Sequence, residues 1–124
     1  MRYEIDAPLV SAGYCHCTRC QRRTGTAAAV SARVVPGSLR VAAGEALIRC
    51  WQPEGGFAKC YCSTCGGALW SRHPDDPQIL SVRLGTLEGD PGIRPSYRQY
   101  VAYAAAWEEI PDDGLPRFPE ARPH

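Results

Sequence analysis

Short apolar–polar alternations, cut by Pro or Gly about every ten positions, run through most of this 124-residue chain. "RYEID", Arg2 to Asp6, alternates and predicts a strand. "LVSAGYCH", Leu9 to His16, predicts a second that runs into a group of cysteines. "TRCQRRTG" has the makings of one or two helical turns, with Thr18 as N-cap and Gly25 as the stop. "AAAVSARVV", "SLRVAAG", "ALIRCWQ", "GFAKCYC" and "GGALWS" read as further strands, several joined at Pro-Gly or Gly turns. "ILSVRLGTL" alternates best. It places Leu80, Val82 and Leu84 on one face and Ile79, Ser81, Arg83 and Gly85 on the other.

"SYRQYVAYAAAWEEI" mixes helix-forming Ala with strand-forming Tyr and Val. It reads as a strand to about Val101, then an irregular or helical piece to Trp107. The Pro-rich tail 111–124 should be extended and pack through Leu115 and Phe118. The pattern predicts one all-β domain spanning 1–124, built of short antiparallel strands with one or two helical turns and sheets held at their ends by metal.

Composition narrows the chemistry. Fourteen basic and thirteen acidic residues give a net charge of +1, too little field to recruit nucleic acid. Lys59 is the only lysine; the other thirteen basic residues are arginines. No apolar run approaches the roughly 18 residues of a membrane span. "MRYEIDAPL" lacks the basic-then-apolar pattern of an export signal, which points to a cytoplasmic location. Seven cysteines, an odd number, argue in that reducing compartment against a disulfide framework.

Their spacing points to metal instead. C-x-C-x-x-C occurs at Cys15, Cys17 and Cys20 and again at Cys60, Cys62 and Cys65. "CSTCGG" has the form of a zinc knuckle, whose glycine permits the left-handed backbone that turns amides toward sulfur. Cys60 is a secondary candidate donor, and Cys50 reads as a core thiol. In the first cluster, extended backbone turns His16 away from Cys15 and Cys17, toward a supporting or substrate-facing place. Arg19, Arg22 and Arg23 follow as a cationic rim for an anionic ligand, or as a solvated basic turn. Spacing alone leaves two metal arrangements: an open site on Cys15, Cys17 and Cys20, or a closed four-cysteine ribbon of Cys17, Cys20, Cys62 and Cys65.

Four motifs in order, "YCHCTRCQRRTG", "CYCSTCGGALW", "SVRLGTLEGDPGIRP" and "AWEEIPDDGLPRF", resemble the glutathione-dependent formaldehyde-activating enzyme family, which includes centromere protein V. The resemblance covers nearly the whole chain. It implies a tent-like all-β fold with two zinc sites. Cys15, Cys17 and Cys20 would hold the catalytic zinc, and Cys62 and Cys65 would serve the structural one with a C-x-C near the N-terminus. The chain departs from the family there, since no cysteine precedes Cys15, and again at Arg98-Gln99, where the family pattern has His before an apolar residue.

The activity implied is carbon–sulfur lyase chemistry on adducts of a small thiol and an aldehyde, such as S-hydroxymethylglutathione. Three thiolate ligands favour holding a substrate thiol over activating water. Glutathione carries two carboxylates, for which Arg19, Arg22 and Arg23 are the candidate anchors. The alternative is a non-catalytic zinc module that binds a small thiol, a protein or nucleic acid.

Overall fold

A computed structural model describes residues 1–123. Nine strands form two sheets. β1 (Arg2–Ile5) pairs antiparallel with β4 (Leu39–Ala43) in a two-stranded ribbon. The other seven are β2 (Ser11–Cys15), β3 (Ala29–Arg33), β5 (Ile48–Trp51), β6 (Ala58–Cys62), β7 (Ala68–Arg72), β8 (Leu80–Arg83) and β9 (Arg98–Gln99). They lie in the order β5-β6-β7-β8-β3-β2-β9, all antiparallel except β9, which runs parallel to β2. One helix, α1 (Thr18–Thr24), follows β2. The predicted all-β class therefore holds.

Strand register makes two contrasting rows across the large sheet. Cys60, Trp70, Val82, Ala32 and Ala12 stand side by side on β6, β7, β8, β3 and β2. All five are buried and form the centre of the core. The β1–β4 ribbon covers this row through Tyr3, Ile5, Leu39 and Val41, and the Tyr3 ring meets Trp70 edge-on at 5.3 Å. One residue along each strand the facing reverses. Lys59, Ser71, Ser81, Arg33 and Ser11 make a polar row on the other face. The predicted split of Val82 from Ser81 and Arg83 is thus realised, since β8 supplies one row from each side.

One expectation about the chain after β8 is corrected. The predicted strand to Val101 stops at Gln99, because Tyr100 takes a left-handed backbone (φ 58°) that no strand accommodates. A 3-10 turn over Val101–Tyr103 follows. The Pro-rich tail supplies what so short a strand lacks. Arg98 N–H donates to Pro116 O at 2.9 Å, Phe118 N–H to Arg98 O at 2.8 Å, and Val101 N–H to Phe118 O at 3.0 Å. Proline removes donors but not carbonyls, so the tail can still accept bonds from a neighbouring strand.

Candidate metal centre

Three successive bits of local structure bring the first cysteines together. Alternation along β2 turns Cys15 to the polar face with Ser11 and Gly13. The chain then enters α1, and Cys17 rather than Thr18 is its N-cap: its backbone is extended and its Sγ accepts from Cys20 N–H at 3.3 Å. A cap must lie outside the helix and offer an acceptor, which Cys17 does one position earlier than expected. Cys20 sits one turn in, on the buried side. Gly25 ends the helix with a left-handed backbone, as predicted. The three Sγ atoms all lie within 4.8 Å of one another.

This donor set suits zinc. Bonds of about 2.3 Å to a tetrahedral ion would hold sulfurs a little under 4 Å apart, which lies within the 4.8 Å that bounds this group. The thiols already divide their protons unequally. Hydrogen bonds from the Cys15 and then the Cys20 side chains lower Cys17 to about 2, while the same contact with Cys17 raises Cys15. Among the described residues no fourth His, Cys, Asp or Glu joins the group. Cys62 and Cys65 in particular stay outside it, so the four-cysteine ribbon is not formed.

Cys62 and Cys65 make the expected knuckle by themselves. Gly66 has φ +75°, its N–H donates to Cys62 O at 2.7 Å, and Gly67 N–H reaches Cys65 Sγ at 3.4 Å. Amides of Cys65 and then Thr64 lower the Cys62 thiol. Cys62 is buried and Cys65 exposed. Two sulfurs do not complete a structural zinc site, and the described residues bring no further donor to them.

Cys50 and Cys60 correct the sequence reading. They face each other across β5 and β6 and are joined by a disulfide. Cys60 is therefore no ligand, and Cys50 is an exposed half-cystine rather than a core thiol. Adjacent antiparallel strands bring directly opposed side chains close enough to bond, a proximity that linear spacing does not reveal.

His16 points away from the thiols, as strand alternation requires. It is buried, with Nε2 3.2 Å from Arg98 Nη1. Burial first, then the charges of Arg98 and Arg117, lower its pKa and keep the ring neutral. Arg98 is itself buried. It donates to Asp113 through Nε (3.1 Å) and Nη2 (2.9 Å) and lies 3.9 Å from the centre of the Tyr14 ring. The residue that departs from the family pattern thus ties β2, β9 and the tail together. Beside it opens a cleft of about 420 Å³ lined by Tyr14, His16, Arg98, Glu108 and Ile110, on the side of β2 opposite Cys15.

The cationic residues divide. The Arg19 guanidinium packs on Gly56, where a Cβ would collide with it, and Arg23 lies 5.7 Å over the Tyr61 ring, so both reach toward β6. Arg22 is exposed. Sequence reasoning missed Lys59 and Arg83 on the polar face. Lys59 Nζ is 3.4 Å from Ser71 Oγ, and Arg83 Nη1 donates to Ser31 Oγ at 2.8 Å. Burial lowers the Lys59 amine, while the nearby Cys20 opposes that shift. Alternation in "AKCYC" separates Lys59 from Cys60 and Cys62, and strand pairing sets it in one polar row with Ser71 and Ser81.

Comparisons with known proteins agree with this architecture. A crystal structure of a Rhodobacter sphaeroides protein superposes with a TM-score of 0.58 at 22% identity, over 94% of this chain and 89% of that one. It is similar in fold. Among curated proteins none matches. The model of the family described as glutathione-dependent formaldehyde-activating enzyme matches residues 1–103, which hold both cysteine motifs and every strand of the two sheets. This chain belongs to the glutathione-dependent formaldehyde-activating enzyme family.

Proposed function

We propose that the chain is a zinc-dependent enzyme that makes and breaks the carbon–sulfur bond between a small thiol and an aldehyde, with S-hydroxymethylglutathione as the type of adduct. The observation that carries this reading is the three-sulfur group of Cys15, Cys17 and Cys20, which the protein leaves without a fourth donor among its described residues. A zinc ion there supplies Lewis acidity and keeps a substrate thiol deprotonated at neutral pH.

The chain's own residues do the rest. Cys15, Cys17 and Cys20 fix the ion at the junction of β2 and α1, where the cap bond from Cys20 N–H holds the Cys17 sulfur in place. Three anionic ligands blunt the acidity of the ion, so the site favours a soft sulfur over a hydroxide. In the forward direction the thiol sulfur attacks the aldehyde carbon, the C–S bond forms and the carbonyl oxygen takes the proton that the thiol gave up. Arg19 beside Gly56 and Arg23 over the Tyr61 ring, with the exposed Arg22 between them in sequence, would draw in a carboxylate-bearing thiol. His16 holds Arg98 from behind β2 and so steadies the strand that presents Cys15.

The test is an exchange measurement. Zinc-loaded protein, glutathione and formaldehyde are mixed, and the interconversion of free and adduct glutathione is followed by magnetisation-transfer NMR. The expected result is a rate above buffer that disappears in Cys15→Ser. A rate equal to buffer across a panel of aldehydes would rule the enzymatic reading out.

A further inference from the structure

We propose that the cleft behind β2 binds a small uncharged carboxamide with an apolar body, whose oxygen accepts from His16 Nδ1 and whose N–H donates to Glu108. The cleft lies on the side of β2 opposite Cys15, so this site neither uses nor requires the three-sulfur group.

The partner of His16 fixes where its proton lies. A guanidinium has no acceptor, so Arg98 Nη1 donates across the 3.2 Å contact and His16 Nε2 accepts. The proton of the ring is then on Nδ1. The contact with Arg98 is the one hydrogen bond the ring makes among the described residues. His16 keeps only 3% exposure and lines the cleft, yet no buried side-chain nitrogen among the described residues lacks a partner. The surface that His16 keeps therefore includes Nδ1, and it opens to the cleft. Two backbone donors join it. Ala27 and Ala28 also line the cleft, and their N–H groups make no hydrogen bond among the described residues, although Ala27 keeps only 7% exposure. Donors so placed normally have an acceptor. That acceptor must be uncharged. All three donors are neutral, Arg98 in the wall is already paired with Asp113, and the exposed carboxylates of Glu108 and Glu109 line the same cleft. They repel a ligand anion. A carboxamide fits both sides: its oxygen meets the donors and its N–H meets Glu108. Tyr14 and Ile110 offer apolar surface to the rest of the ligand. The volume of about 420 Å³ lies within the roughly 300–1,000 Å³ of small-ligand pockets.

The probes are benzamide, benzoate and acetophenone, the last with a methyl in place of the amide nitrogen. Each is titrated into the zinc-loaded, nitrogen-15-labelled full chain and followed by NMR. Benzamide should bind and shift the Ala27 and Ala28 amides and the His16 Nδ1 resonance. Benzoate should bind about tenfold more weakly or less well still, and acetophenone roughly three- to tenfold more weakly, the effect of one hydrogen bond. Glu108→Ala should weaken benzamide by that same factor of roughly three to ten and leave acetophenone unchanged. His16→Phe should weaken both by about tenfold. Because His16→Phe also takes a partner from Arg98, the exposed Glu108 carries the test if that variant does not fold. The carboxamide site is overturned if the parent does not bind benzamide, or if benzoate or acetophenone binds as tightly. It is overturned equally if Glu108→Ala weakens benzamide and acetophenone alike, or if the shifts leave His16, Ala27 and Ala28 untouched.

Discussion

Cys17 caps α1 and, in the proposed site, is a metal ligand as well. Serine can take the first role but not the second, because its oxygen caps a helix yet replaces a thiolate poorly. Cys17→Ser should therefore lose zinc with α1 intact, whereas Cys17→Ala should lose zinc and a further ~1 kcal/mol of stability. Metal analysis with thermal melts of the metal-free proteins separates the two. Arg98 and Asp113 give a second test at this scale. The Arg98 guanidinium holds the Asp113 carboxyl below its usual range. The stabilisation is complete above about pH 4, where the unfolded carboxyl is ionised, and is lost as pH falls through the lower native value. Asp113→Asn should lower stability at pH 7, because it leaves the buried Arg98 guanidinium without its carboxylate. Melts at falling pH should show that difference shrinking to nothing in acid.

Strands β2 and β9 meet over only two residue pairs, so what packs on them matters more than their own bonds. The Tyr97 ring lies on Gly13 where any Cβ would strike it, and Tyr14 N–H donates to Tyr97 O at 3.0 Å. Gly13→Ala should push the ring away and free the β9 edge, next to the cysteines. Faster amide exchange at Tyr14 and His16, with β6 and β7 unchanged, would show it. At the opposite edge the Cys50–Cys60 bond ties β5 to β6. Cys50→Ser should lower stability by about 2–3 kcal/mol, on the loop-closure argument for a link across ten residues. Most strands could be read from alternation, because burying one face of a sheet imposes period two. β9 could be read only in part, its end placed at Val101 instead of Gln99, because the left-handed Tyr100 and the partnership with a distant tail leave no trace in local pattern.

At the level of the whole molecule, the apolar row Cys60–Trp70–Val82–Ala32–Ala12 joins the sheet to the ribbon that covers it. Trp70→Ala should cost about 3–5 kcal/mol and be read as a large drop in the denaturation midpoint. The three thiols of the candidate site were legible because their donors lie within one short segment, where spacing is geometry. Lys59 and Arg83 were not. They stand on β6 and β8, and only the pairing of β6, β7, β8 and β3 sets them on the face to which β2 turns Cys15. The disulfide escaped notice for the same reason.

The two rows also give the Cys50–Cys60 bond a second meaning. Lys59 and Cys60 are neighbours with opposite facings, so a one-residue slip of β6 would exchange them. The lysine would enter the core against Trp70, and the polar face would receive a sulfur in place of an amine. A covalent link from Cys60 to a fixed partner on β5 admits only one alignment of β6 with β5. The cystine thus works as an indexing pin: it keeps the strand from sliding and so keeps the only lysine on the polar face.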